Sequence, residues 1–202
     1  MSASMKSIWF FLPSIGGLLL GACSLPQAQP DTTRFYLLTA AAAKTEAGAV
    51  AQPVRVALRP VVAPEFLRGK LIAVRAGDNE ERFIDEARWA EPLEAGLTRV
   101  LRENLAQRPG WQITERGETH DFEVAVRLRH CEGALPAGVA RLAARVEIFS
   151  TEPEPRLVAQ DDFSTDIPGW DGRDYGQLAK KLSEAADALA GRIAALVAEA
   201  KK

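Results

Sequence analysis

The chain has 202 residues, 47% of them hydrophobic, and sets 25 Lys and Arg against 27 Asp and Glu for a net charge of −2. A balance so near neutral carries no nucleic-acid footprint, and two cysteines in the whole sequence exclude the disulfide framework of a small secreted scaffold. The apolar content suffices for one core of ordinary size.

Residues 1–22 read as a secretory signal peptide. Lys6 supplies the early positive charge, an apolar run covers 8–20, and small residues precede Cys23. The run is broken by Pro13, Gly16 and Gly17 and is shorter than the roughly 20 apolar residues of a membrane-spanning helix. Leu20-Gly21-Ala22-Cys23 has the form of a lipobox, so Cys23 is the expected lipidation site, carrying a covalent diacylglycerol and an acyl chain such as palmitate. Ser24 follows it rather than aspartate, which resembles the sorting pattern of lipoproteins held in the inner leaflet of the outer membrane, facing the periplasm. Residues 23–33, with Pro26 and Pro30 and no hydrophobic periodicity, form a lipidated tether, and 34–202 a single periplasmic domain. Cys131 is then left unpaired and reads as a small buried hydrophobe at a strand end.

Along the domain, 35–38 is a short apolar strand, 40–52 an Ala- and Gly-rich loop, and 54–58 an alternating, half-buried strand. A strand at 71–75 turns at Gly77-Asp78-Asn79 and returns at 82–88. The first helix starts at Pro92, where a first-turn proline is tolerated, and stacks Leu93, Leu97, Val100, Leu101 and Leu105 on one stripe before Arg108-Pro109-Gly110 ends it. Two strands then alternate strictly, 122–129 and 141–148, with Gly133, Pro136 and Gly138 marking the loop between them, and a further strand spans 157–163. The last helix opens with Asp174 and Gln177 as a capping-box variant and carries Leu178, Leu182, Ala186, Leu189, Ile193 and Leu196 on one face. One apolar stripe per helix and one apolar face on the sheet predict an α+β fold: a two-layer domain, mainly antiparallel sheet, with both helices on one side.

The catalytic inventory is empty. No nucleophile elbow, phosphate loop or His-Glu-x-x-His occurs. His120 and His130 stand ten apart on or beside one strand, roughly 33 Å at full extension, too far for one metal. Asp161 and Asp162 are adjacent and point to opposite sides of a strand, as solvated charges do. The sequence predicts no enzyme, no metal and no cofactor beyond the lipid. The outward residues Arg55, Arg59, Arg127, Arg129, Arg141 and Arg145 form either an ordinary solvated face or a basic one suited to lipid phosphates or an acidic partner. Trp89 and Trp170 each have two readings, a partner anchor or a large aromatic packed on the core, with Trp170 in a loop after Pro168-Gly169.

The lipobox, Arg34-Phe35-Tyr36-Leu37-Leu38, the strand at 54–58 and above all Arg88-Trp89-Ala90-Glu91-Pro92 leading into the leucine-striped helix resemble the ABC-type transport auxiliary lipoproteins, the group that includes the PqiC-like outer-membrane lipoproteins. That resemblance implies a non-enzymatic accessory subunit of an inner-membrane system with MCE domains, docking its periplasmic component at the outer membrane for lipid or hydrophobic-molecule transport and membrane integrity. A ring-like homo-oligomer would suit such a docking collar. The competing reading is a structural envelope lipoprotein that binds peptidoglycan or an outer-membrane assembly complex.

Overall fold

The computed structural model describes residues 31–42, 53–115 and 117–201. The signal peptide, Cys23 and most of the tether and of the 40–52 loop lie outside the described residues.

Eight strands form one mixed sheet. They are β1 (Arg34–Tyr36), β2 (Val54–Leu58), β3 (Leu71–Gly77), β4 (Glu80–Trp89), β5 (Trp111–Thr114), β6 (Phe122–Ala134), β7 (Val139–Ser150) and β8 (Arg156–Pro168), with helices α1 (Leu93–Ala106) after β4 and α2 (Tyr175–Ala200) after β8. The long ladders are antiparallel: β3 with β4, β6 with β7, β7 with β8. The short ones are parallel, β1 on β4 and β2 on β5, and β6 takes β2 and β3 as parallel neighbours at its two ends. One flank of β6 is therefore shared by two smaller groups of strands, while β7 runs along the whole of the other.

Both helices cover the same face. Leu93, Leu97, Val100, Leu101 and Leu105 of α1 and Leu178, Leu182, Ala186, Leu189, Ile193 and Leu196 of α2 are all buried against Val124, Val126, Leu128, Leu142, Ala144, Val146 and Ile148 of the central strands. The caps follow the sequence. Asp174 accepts a hydrogen bond from the Gln177 amide at 3.0 Å, and Pro92 stands at the α1 N-cap, with the Leu93 amide donating to the Gly69 carbonyl.

The strand expected at 122–129 is longer than its alternation suggested, because of a bulge. Leu128 faces Ala144 and His130 faces Ala143, so Arg129 is the extra residue. The bulge inverts which residues face the helices: Phe122, Val124, Val126 and Leu128 do so before it, Cys131 and Gly133 after it. Gly133, expected in the loop, is in the strand because only a residue without Cβ leaves room for the Trp170 indole lying over it. The connection shrinks to a 3₁₀ turn at Leu135–Ala137, closed by Gly138 at φ 61°.

Candidate functional site: the outer face of the sheet

With the helices on one side, the other side of β6, β7 and β8 is open, and it carries four residues expected to meet a partner: Arg127, Arg129, Arg141 and Arg145. Arg127 and Arg145 stand directly opposite one another across β6 and β7. Two guanidinium groups so placed repel, and Glu147 lies 3.5 Å from each. Arg145 also donates to the Gln160 side chain at 2.7 Å. Arg129, on the bulge, pairs with Asp162. Arg141 holds Asp166 by two parallel hydrogen bonds of 2.9 and 2.8 Å, a fork that keeps the Asp166 carboxyl below the usual aspartate range. Arg55 pairs with Asp121 and Arg59 with Glu123 at the β2 end. Of the two readings of these arginines, the structure shows a face of mixed, paired charge. Asp162 of β8 lies against Arg129 and Arg145, Asp166 holds Arg141, and Glu147 of β7 lies between Arg127 and Arg145.

Asp161 and Asp162 do point to opposite sides. Asp161 pairs with Arg192 of α2 at 2.8 Å while Asp162 stays on the outer face.

Beyond the bulge the outer face holds a buried charge cluster that the sequence reading missed. Glu132 is 0% exposed. One of its oxygens accepts from the Cys131 amide at 2.7 Å; the other lies 2.7 Å from His130 Nδ1 and 3.5 Å from Arg75 Nε. Arg75 of β3 also reaches Glu81 of β4 at 3.0 Å. Two sequestered carboxylates therefore share one guanidinium. Burial, and then the charge of Glu132, push the Glu81 carboxyl above its ordinary value, with Arg75 and His130 opposing. The bulge is what turns Glu132 and His130 to this face, and single-sequence alternation gives no sign of a bulge. His120 lies before β6, its Nδ1 at 2.8 Å from the Glu118 carbonyl, so the two histidines do not share a strand face.

The two tryptophans are not on the surface. Trp89 is 2% exposed and Trp170 3%. Trp170 donates from Nε1 to the Asp174 carbonyl at 3.0 Å, packs beside Tyr175 with ring centres 6.3 Å apart, and closes the core at the start of α2. Trp89 belongs to the same core, and its neighbours form a junction: the Ala90 amide donates to the Tyr36 carbonyl, and Glu91 grips Arg99 of α1 at 2.6 Å while Arg99 reaches the Leu38 carbonyl. Arg88 through Pro92 is therefore a structural joint between β1, β4 and α1.

The sequence profile of the ABC-type transport auxiliary lipoprotein component matches residues 36–194, from β1 to within the last turns of α2. The chain belongs to this family. Members are named for service to an ABC-type transport system. A crystal structure of an uncharacterized protein has TM-score 0.69 at 18% identity, covering 82% of this chain and 99% of that one. Protein XCC0632 from Xanthomonas campestris, of the family DUF330, has TM-score 0.66 at 17% identity over 80% and 92%. At such identities the likeness is one of fold. A search of curated proteins returns no match.

Proposed function

We propose that this auxiliary lipoprotein is anchored through acylated Cys23 in the inner leaflet of the outer membrane, where it docks the periplasmic, MCE-domain component of an envelope transport system moving lipid or other hydrophobic molecules. The observation that carries this reading is the family match across nearly the whole described domain. The lipobox at Leu20-Gly21-Ala22-Cys23 supports the anchor. No helix among the described residues is long and apolar enough to cross a membrane. The role asks for no covalent step and no cofactor beyond the anchor. Arg127, Arg129, Arg141 and Arg145 remain the contact candidates, because they stand on the helix-free face.

Deleting the gene should sensitise cells to detergent and solvent. Wild-type protein should restore resistance and Cys23→Ala should not. Full rescue by Cys23→Ala at normal protein level would contradict an anchored role.

A further inference from the structure

The strand that enters the domain and the residue just after it leave two large apolar side chains in water. Phe35 is 61% exposed and Leu37 50%, while Leu38 is 2% exposed and Tyr36 packs its ring on Tyr175. This is the alternation of an ordered strand: Tyr36 and Leu38 turn inward and their neighbours are held out. Among the described residues β1 pairs with β4 alone and so forms an edge of the sheet, with Phe35 directly opposite Arg88. Single exposed apolar residues are ordinary on any protein surface. What sets this pair apart is its position. Residues 24–33, the tether, join the domain at Arg34, and ten residues reach at most about 35 Å even when fully extended. The tether therefore keeps the entry strand within about 35 Å of the anchor.

We infer that Phe35 and Leu37 seat in the headgroup–acyl boundary of the phospholipid bilayer and fix the side of the domain that faces the membrane; the inference rests on the lipid anchor proposed above. Arg34 and Arg88 are placed to meet lipid phosphates, but Asp85 and Glu86 stand just before Arg88 in β4. The contact is therefore apolar in character and does not depend on anionic lipid or low salt.

The test uses the full acylated protein in vesicles of phosphatidylethanolamine and phosphatidylglycerol. A polarity-sensitive fluorophore is placed on Phe35→Cys, on Leu37→Cys or, as a control, on Leu157→Cys. Leu157 is also an exposed apolar residue, but it lies at the opposite end of the long ladders, paired with Phe149. Cys131 does not compete for the label, since its sulfur is buried and burial pushes its thiol far up. Quenchers carried on the acyl chains should quench the labels at 35 and 37 several-fold more than the label at 157, equally at low and high salt. Equal quenching at all three positions, or protection at 35 and 37 without acyl-chain quenching, as a protein partner or second copy would give, overturns the inference. The mass of the purified protein separates the two claims: no acyl mass removes the anchor and this seat together, whereas acyl mass without selective quenching removes the seat alone.

Discussion

Arg75 holds two carboxylates that water cannot reach. Glu132 is wholly buried, and the side chains of Arg75 and Glu81 are only 24% and 17% exposed. Removing the guanidinium leaves both acids facing each other in a low dielectric, so Arg75→Met should lower unfolding stability by about 3 kcal/mol or more. Arg127, 66% exposed beside Glu147, should lose about 1 kcal/mol or less in the same exchange. Urea unfolding of the two variants side by side measures the contrast. The cluster also sets a sign for pH. Glu81 is pushed up from an ordinary value of 4.5 in the folded protein, so the folded state binds its proton more tightly than the unfolded chain does. Its contribution is complete below pH 4.5 and is lost as pH rises through the folded-state value. Asp121, Asp161 and Asp166 run the other way: their partners Arg55, Arg192 and Arg141 hold them low, and their contribution is lost only as pH falls through those lowered values. Of these four groups, Glu81 alone loses its contribution as pH rises. Stability of the wild type relative to Glu81→Gln should decline as pH rises from weakly acidic to neutral, and a parallel pair of curves would refute the assignment. A third residue-level expectation concerns Gly133. A methyl group there would occupy the space of the Trp170 ring, so Gly133→Ala should destabilise by about 1–3 kcal/mol, and Trp170→Leu in the same chain should recover part of the loss.

At the scale of elements, period and punctuation made much of the architecture readable. The two helices stand where their leucine stripes and caps put them, because a 3.6-residue period sustained over several turns has no other use. Strand β2 runs from Val54 to Leu58 as its alternation indicates. Strand β5 was missed: Trp111–Thr114 is four residues long, and it is a strand because β2 supplies a parallel partner, which no local pattern announces. The bulge at Arg129 was missed for the same kind of reason. Its two flanks each look regular, and only the pairing with β7 shows the extra residue. The bulge makes its own prediction. Arg129→Ala, on a half-exposed side chain, should fold with a change of about 1 kcal/mol or less. Deleting Arg129 leaves Leu128 against Ala144 and His130 against Ala143 as consecutive pairs of a regular ladder, with Cys131 still toward the helices and His130 and Glu132 still outward. Circular dichroism melting should show a cooperative transition for both variants, and loss of the transition in the deletion alone would contradict the assignment of Arg129 as the extra residue.

For the whole molecule, the sequence indicated which side of the sheet is wet but not how its charges are matched. Six outward arginines can be counted from alternation alone. That Asp162 and Asp166 answer Arg129 and Arg141 follows from the β7–β8 register, and register is a property of three strands at once. Of the two readings open for Trp89 and Trp170, both side chains take the one packed on the core. The outer face of β6, β7 and β8 carries these ion pairs, while Trp89, Trp170 and the leucine stripes of both helices are buried in the core. Such a face favours a specific, charge-matched contact over a greasy one. Crosslinking in intact cells from Arg127, Arg141 or Arg145 replaced by a photoreactive residue, followed by purification and mass spectrometry, asks the question most directly. The transport-auxiliary account predicts adducts with an MCE-domain protein from these positions; adducts only with peptidoglycan or with outer-membrane assembly proteins would contradict it.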